Sequence, residues 1–433
     1  MPSASSLFTP PAGGRTPDPS LAHRRADAVV TVRGPDGSTL AGTDVIVEQT
    51  NHRFLFGCIG FDLIDLANGT PQDPDYEQRL ADLWFDVFNA TTLPFYWGRF
   101  EPERGNPATQ PVLTAAPWFQ DRDVLVKGHP LVWHTVCAPW LLDLPNAEIE
   151  RLLRERIRRD VADFAGVIDC WDAINEVVIM PVFEAEDNGV TRIARELGRI
   201  EMVRMAIEEA RAVNPTATLL LNDFDMSTAY ECLIEGVLEA GIRIDKLGLQ
   251  SHMHQGYWGE DKTLSILERF SRYNIPIHFT ETTLLSGDLM PPHVVDLNDW
   301  QVDEWPSTED GEARQGDELE RHYRTLLSHP SVEAVTYWGL SDKGMWLNAP
   351  GGLVRSDGTA KPSYERLRSL VKDEWWLAPT AMRTDAGGRV RVSGFLGDYT
   401  VSAAGLGAAG FTLETAGDVA IDAPLEQPRQ ATD

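Results

Sequence analysis

The 433-residue chain is long enough for one large barrel with small appendages, or for two or three domains of average size. With 42% hydrophobic and 24% charged residues it has the composition of an ordinary globular protein, and no window approaches the roughly 20 apolar residues of a membrane span. The formal net charge of -28 repels phosphates and anionic lipid surfaces. The sequence therefore predicts neither a nucleic acid nor a membrane as partner, and it is compatible with an uncharged ligand.

The N-terminal segment, residues 1–26, is rich in Pro, Ser, Gly and Ala, which predicts a flexible arm. It lacks the continuous apolar core of a secretion signal, so we expect a cytoplasmic protein, or a secreted one if the chain has been trimmed. The four Cys residues form no CxxC pair, and we expect them to be reduced.

The two ends of the chain share one pattern. Residues 27–50 alternate apolar and polar side chains around the turn Pro35-Asp36-Gly37, and residues 376–433 contain short alternating runs separated by Gly-rich turns. Neither segment can build a core alone. We therefore predict that they form one small accessory β-sandwich.

Between the ends, residues 51–375 alternate apolar runs with amphipathic segments of helical period. The runs that we predict as strands are 54–60, 86–92, 124–133, 167–176, 217–223, 246–252, 275–281 and 332–339. Eight such repeats predict an α/β protein, a parallel sheet closed into a (β/α)8 TIM barrel. An open doubly wound sheet is the alternative, but no Gly-rich phosphate loop follows the first run.

Polar and aromatic side chains collect where these runs end, which in a (β/α)8 barrel is the site of the chemistry. They are His129, Trp133, His134, Asn175, Glu176, Asn222, Asp223, Gln250, His252, Glu281, Trp338, Asp342 and Trp346. Taken singly, a Glu at a strand end is more often a capping or rim residue. Glu176 and Glu281, however, end the fourth and seventh runs and face one cleft, and a facing pair of carboxyl groups is what glycosidic bond cleavage requires.

A metal site is the competing chemical interpretation, because His252 and His254 alternate on one strand face. No third His or Cys stands at a supporting spacing, and a histidine bonded to a carboxylate explains His252 equally well. We therefore predict neither a metal nor another cofactor.

Seven motifs in chain order resemble those of glycoside hydrolase family 10, the family of β-1,4-xylanases. They are "GHPLVWH" (128–134), "WDAINE" (171–176), "LLLNDFD" (219–225), "LGLQSHMH" (247–254), "HFTET" (278–282), "TYWGLSDKGMWL" (336–347) and "KPSYE" (361–365). The resemblance implies a retaining hydrolase with Glu176 as acid/base and Glu281 as nucleophile. It also implies that Asn175 contacts the sugar 2-hydroxyl and that His252 bonds Glu281, while His129, Trp133, Gln250, Trp338 and Trp346 shape the subsite of the glycone, the sugar whose C1 reacts.

The chain departs from this family after the second run. Thr92 and Leu93 stand where the family has a Glu-Asn pair, and Tyr96 stands in place of a Lys, while Trp97 matches. We expect Tyr96 and Trp97 to contact the substrate. Val136 replaces a Gln. At these positions the sugar hydroxyls lose hydrogen-bonding partners. The departures therefore put the binding of xylan in question.

A long acidic segment, residues 286–315, follows the seventh run and carries Trp300 and Trp305. It exceeds an ordinary βα connection, so it is either a disordered insertion or, as the tryptophans favour, a lid that turns the groove into a pocket.

These observations leave three functions open. The leading one is a retaining β-glycosidase acting on a β-1,4-xylosidic or related bond. The second is the same chemistry on small oligosaccharides or plant glycosides, and the third is a non-catalytic carbohydrate-binding barrel. The oligomeric state is not predicted.

Overall fold

The computed structural model describes residues 18–426, which divide into two compact units. One unit runs from Phe54 to Trp376, and the other joins the segment that ends at Arg53 to the segment that begins at Leu377. The strands of the described residues are β1 (Arg25–Arg33), β2 (Asp44–His52), β3 (Leu55–Ile59), β4 (Ala90–Pro94), β5 (Leu125–His129), β6 (Cys170–Asn175), β7 (Thr218–Asp223), β8 (Lys246–Met253), β9 (Ile277–Leu284), β10 (Val332–Tyr337), β11 (Thr380–Arg383), β12 (Arg389–Phe395), β13 (Gly397–Ala403), β14 (Gly407–Leu413) and β15 (Gly417–Pro424).

In the larger unit, β3 to β10 form a closed barrel in chain order, with β10 pairing in parallel with β3. The helices between and after these strands are α1 (Ile64–Ala67), α2 (Pro74–Val87), α3 (Trp97–Phe100), α4 (Thr109–Gln120), α5 (Asn146–Asp163), α6 (Gly189–Leu197), α7 (Arg199–Val213), α8 (Thr228–Glu239), α9 (Gly259–Ser271), α10 (Glu309–Ser328) and α11 (Pro362–Ser369). The predicted (β/α)8 barrel is confirmed.

Burial explains why the barrel strands appear in the sequence as nearly continuous apolar runs. Every residue of β6 and of β9 is buried, as expected for parallel strands that are covered on both faces. Helix starts are marked by side-chain caps: Asp73 accepts from the amide of Tyr76 at α2, and Ser227 accepts from the amide of Ala229 at α8.

Two strand boundaries differ from the predicted runs. Residues 86 and 87 belong to the last turn of α2, so β4 begins only at Ala90. The run 124–133 stops being a strand at His129, because Pro130 has no amide hydrogen with which to continue the ladder.

The smaller unit is the predicted β-sandwich. One sheet has the strand order β12-β1-β15 and the other β11-β2-β13-β14. Alternate side chains of both sheets share one core, for example Val30 and Val392 from the first sheet with Val47 and Val401 from the second. Strands from the two ends of the chain therefore bury each other's apolar faces.

The predicted arm, residues 1–26, is too long. Residues 1–17 lie outside the described residues, but Pro19–Arg24 form a 3-10 helix and β1 begins at Arg25. The cause is local: Asp18 caps this helix by accepting from the amide of Ser20, and Leu21 is buried. None of the helices within residues 18–426 combines the length and the apolar composition that a membrane span requires.

The predicted long loop, 286–315, is shorter than expected, because α10 begins at Glu309. Thr308 caps this helix by accepting from the amide of Gly311, and three acidic side chains in the first turn favour the positive end of the helix dipole. The irregular connection therefore runs from residue 285 to residue 308.

Candidate active site

The carboxyl ends of four neighbouring barrel strands bring the predicted polar residues together. Asn175 ends β6 beside Asn222 on β7, and Gln250 of β8 stands opposite Glu281 of β9. Glu176 follows β6 directly, and its amide donates to the carbonyl of Asn222 (2.8 Å). The two predicted catalytic carboxyl groups thus rise from the same end of the barrel.

Glu281 accepts hydrogen bonds at both carboxylate oxygens. Asn222 Nδ2 donates to Oε1 (2.9 Å), and His252 Nε2 lies 3.1 Å from Oε2. Because a carboxylate only accepts, this contact places a hydrogen on Nε2 of His252, while Nδ1 lies 3.0 Å from the Thr283 hydroxyl oxygen. Two donors stabilise the charged form, which a nucleophile requires.

Asn222 connects the two carboxyl groups. Its Nδ2 also donates to Asn175 Oδ1 (2.7 Å), and Asn175 Nδ2 in turn donates to Glu176 Oε1 (3.1 Å). The hydroxyl of Thr280 donates to Asn222 Oδ1 (2.6 Å) and fixes the orientation of the amide. The sequence located Asn222 at a strand end but did not indicate this role; the signal was a polar pair at the end of an otherwise apolar run.

Glu176 occupies an unusual backbone position and an unusual electrostatic one. Its φ of 58° lies in the left-handed region, where a residue with a long side chain is rarely held unless its surroundings enforce it. Burial, and then the charge of Glu281, raise the pKa of Glu176 to about 8. Trp133 Nε1 donates to Oε2 (2.8 Å) and Gln250 Nε2 to Oε1 (3.3 Å), which moderates that rise. Glu176 is therefore protonated at neutral pH.

Asp223 is a third buried carboxyl group beside this pair. Burial raises its pKa to about 7. The amides of Val178 and Asp225, which donate to it at 3.0 Å each, lower that pKa but do not outweigh the burial. Its charge also contributes to the raised pKa of Glu176. The bond from Val178 holds the backbone just after Glu176, so Asp223 positions the turn that carries the predicted acid/base.

Aromatic rings surround the polar centre. Tyr96 lies 5.6 Å from both His129 and Trp133, and Trp338 lies 5.0 Å from His129, measured between ring centroids. Burial, and then the charge of Glu281, raise the pKa of Tyr96 well above its ordinary value, so that the phenol is neutral beside the carboxyl groups. Trp346 lies 5.1 Å from His252 and is 36% exposed.

A buried ion cluster lies beneath His129. Lys127 Nζ and His129 Nδ1 both contact Asp172 Oδ2 at 2.7 Å. Burial alone would raise the pKa of Asp172, but Lys127 and His129 outweigh it and hold that pKa below its ordinary value. Sequence reasoning missed this cluster, although charged residues inside two apolar runs were its signal.

The residues that depart from the family pattern are mostly withdrawn from solvent. Thr92 and Leu93 are 1% and 0% exposed, and Thr92 Oγ1 has no hydrogen-bonding partner among the described residues. Val136 presents its carbonyl to the amide of Gly98 (2.8 Å). Trp97, which we predict to bind substrate, donates its indole N–H to Glu101 Oε2 (3.3 Å) and lies under the guanidinium of Arg156.

The alternative metal ligands, His252 and His254, lie 5.9 Å apart between ring centroids. The ring nitrogens of His252 are both engaged, by Glu281 and Thr283. Among residues 18–426, no group of three or more His, Cys, Asp and Glu side chains is arranged to hold a metal ion.

The arrangement can carry out acid-assisted displacement. One carboxyl group is protonated at neutral pH and can give a proton to a leaving oxygen, while the other is stabilised as a carboxylate and can attack carbon. Neutral amide groups and aromatic faces suit an uncharged ligand with many hydroxyl groups.

The model of glycosyl hydrolase family 10 matches residues 86–370 of the chain. Among curated proteins, the chain is similar to the anti-sigma-I factor RsgI6 of Acetivibrio thermocellus, with 25% identity over 89% of this chain and 46% of that protein. It is also similar to endo-1,4-beta-xylanase B of Thermotoga neapolitana, with 25% identity over 64% of this chain and 78% of the xylanase. The chain thus spans about half the length of the first relative and most of the second.

Among solved structures, xylanase 10B from Thermotoga maritima superposes with a TM-score of 0.60 at 20% identity, over 74% of this chain and 96% of the other. Xylanase 10B from Thermotoga petrophila, solved in complex with xylobiose, superposes with a TM-score of 0.59 at 21% identity, over 74% of this chain and 95% of the other. At these identities the likeness establishes the barrel fold.

Proposed function

Because the chain belongs to glycosyl hydrolase family 10 and is a glycoside hydrolase, we propose that it cleaves a β-1,4-xylosidic or related β-glycosidic bond with retention of anomeric configuration. The observation that carries this proposal is the unequal pair of carboxyl groups. Glu176 has a pKa raised to about 8, and Glu281 accepts two hydrogen bonds as a carboxylate. A protonated acid and a charged nucleophile in one cleft match the two roles of a retaining glycosidase.

In the first step, a carboxylate oxygen of Glu281 forms a bond to C1 of the sugar while the bond from C1 to the glycosidic oxygen breaks. Glu176 gives its proton to that oxygen, and the leaving group departs as an alcohol. In the second step Glu176, now ionised, takes a proton from water as the water oxygen attacks C1. The bond to Glu281 breaks, and both carboxyl groups return to their starting states.

Asn175 is suited to stabilise the transition state. Its Oδ1 accepts from Asn222 (2.7 Å) and from Gln250 (3.1 Å), so the orientation of the amide is fixed, and one hydrogen on Nδ2 goes to Glu176. The second hydrogen on Nδ2 is available to the sugar 2-hydroxyl, where a bond strengthens as positive charge develops at C1.

The second candidate function is the same reaction on small oligosaccharides or plant glycosides instead of xylan. It is favoured by the residues that replace the expected polar sugar contacts. Leu93 is fully buried, and the neutral phenol of Tyr96 stands where a lysine is expected. A phenol and an apolar side chain offer fewer donors to the hydroxyl groups of a second sugar.

One set of assays tests both candidates. The protein is incubated with aryl β-xyloside, β-xylobioside, β-glucoside and β-cellobioside and with soluble xylan, and the anomer first released is identified by proton NMR. Release of the β-anomer supports the retaining mechanism, while release of the α-anomer contradicts it. Cleavage confined to one small glycoside favours the second candidate. Sugar binding without turnover on any substrate supports the non-catalytic barrel.

A further inference from the structure

The connection between β9 and α10 has a fixed base. Gly287 and Ser307 form an antiparallel bridge, and the amide of Thr308 donates to the carbonyl of Ser286 (2.8 Å). The fully buried Lys361 donates to Ser286 Oγ (2.8 Å) and to Asp342 Oδ1 (2.7 Å), the latter in the loop after β10. Residues 288–306, which we call the roof segment, therefore leave and re-enter the barrel at one anchored point.

The body of the roof segment is seated on residues that follow β8. Met290 is 1% exposed, and its amide donates to the carbonyl of His254 (2.9 Å). Gln255 Nε2 donates to the carbonyls of Pro291 (3.0 Å) and Val294 (2.7 Å). These contacts are those of a folded cover and not of a free insertion.

The far part of the roof segment reaches an aromatic residue beside the catalytic pair. The indole of Trp346 donates to Asn298 Oδ1 (3.2 Å). The Trp346 ring lies 5.1 Å from the ring of His252, whose Nε2 contacts Glu281. The roof segment is thus connected to the nucleophile through two side chains.

His254 lies beneath this cover, fully buried, with ring centroids 5.2 Å from Trp346 and 6.3 Å from Trp305. Neither ring nitrogen has a hydrogen-bonding partner among the described residues. Through Trp305, the roof segment therefore packs over the same histidine that Trp346 contacts.

We propose that the roof segment sets the length of the substrate. By holding Trp346 beside His252 through Asn298, it closes the cleft on the side of the nucleophile and restricts hydrolysis to short β-glycosides or to chain ends. This inference rests on the proposed glycosidase function and names the substrate class of the same site. Asn298 acts in it as a positioning residue, since it reaches the substrate only through Trp346.

Two variants test the proposal against one control. Asn298→Ala removes the bond to Trp346, and replacing residues 289–305 by Asn-Gly shortens the roof to a turn that the Gly287–Ser307 bridge can close. Val295→Ala is the matched control, because Val295 lies in the same segment and is 98% exposed. For each protein, kcat/KM is measured on an aryl β-xylobioside and on soluble xylan, and the ratio of xylan to small substrate is compared.

Loss of one hydrogen bond in Asn298→Ala should raise that ratio by about two- to tenfold, and the shortened roof should raise it by more than about tenfold. The control should change it by less than about twofold. Unchanged ratios in Asn298→Ala and in a folded shortened variant would overturn the proposal. If the shortened variant does not fold, an unchanged ratio in Asn298→Ala overturns the proposal by itself. A wild-type protein that already cleaves xylan internally as fast as it cleaves the small glycoside would also overturn the proposal.

A wild-type protein that cleaves none of the glycosides contradicts the proposed function, and the roof proposal falls with it. A wild-type protein that cleaves small glycosides, together with unchanged ratios in the variants, contradicts the roof proposal alone.

Discussion

The hydrogen bond from Trp133 to Glu176 offers a direct test of the acid/base assignment. The indole N–H donates to Oε2 at 2.8 Å and stabilises the charged form of the carboxyl group, whose pKa is raised to about 8 by burial and by Glu281. In Trp133→Phe that donor is lost, so the pKa should rise further. A hydrogen bond to a charged group contributes about 1.5–3 kcal/mol, and 1.36 kcal/mol corresponds to one pKa unit. With Asn175 and Gln250 still donating, we expect a rise of about one pH unit.

The assay is the pH dependence of kcat/KM on a β-glycoside whose leaving group is a poor one, such as phenol, because such a substrate needs the proton of Glu176. Loss of that proton should produce the basic limb of the profile near pH 8 in the wild type. In Trp133→Phe the limb should move to higher pH, whatever happens to the absolute rate. Trp140→Phe is the control, since its indole donates to the carbonyl of Glu101 (3.0 Å).

A basic limb that stays in place in Trp133→Phe would refute the reasoning that Trp133 stabilises the charged acid/base. A limb that persists unchanged in Glu176→Gln would refute the assignment of Glu176 itself. A shift of equal size in Trp140→Phe would show that the effect is not local.

Three further outcomes are expected. Glu281→Gln should lower kcat more than about a thousandfold while calorimetry still detects sugar binding, and retained activity would show that the nucleophile is wrongly assigned. Lys127→Met removes the ammonium partner of the buried Asp172, which keeps its contact with His129, and should lower the free energy of unfolding by about 3–5 kcal/mol in urea titrations. The stability that the charged Asp172 contributes is present above the ordinary carboxyl pKa and is lost as the pH falls through the lowered pKa of Asp172. The control is Arg243→Met, at a side chain that is 74% exposed, which should change the free energy of unfolding by less than about 1 kcal/mol. In Gly128→Ala the added Cβ would lie 2.2 Å from the Trp171 ring, so the free energy of unfolding should fall by about 1–3 kcal/mol. Gly410→Ala, whose added Cβ would have its nearest neighbour at 3.9 Å, should be tolerated in the same urea titrations.

The barrel could be predicted from the sequence because its strands are buried on both faces and therefore stand out as apolar runs. Their ends could not be placed as well. The run 86–92 begins inside a helix, and the run 124–133 loses its ladder at Pro130, since hydrophobicity alone does not distinguish a buried helix turn from a strand.

The two carboxyl groups could also be predicted, because a Glu at the end of an apolar run is conspicuous. The environment that separates their roles could not. It depends on Asn222 and Thr280, whose bonds join residues 58 positions apart in the chain, and on the burial that raises the pKa of Glu176 to about 8. The surroundings of Trp97 could not be predicted either, since its contacts with Glu101 and Arg156 arise only in the folded chain.

The sandwich has a consequence for how the protein is made. β1 pairs with β12 and β15, and β2 pairs with β11 and β13, so each N-terminal strand finds its partners only after the whole barrel sequence has been synthesised. At about 5–20 residues per second, the ribosome takes about 15 to 65 seconds to cross that interval, during which the edges of β1 and β2 stay unpaired. The barrel can fold within this time, because its strands pair with neighbours in chain order. A chain whose synthesis ends before the C-terminal strands are made therefore keeps exposed strand edges, the kind of species that chaperones bind.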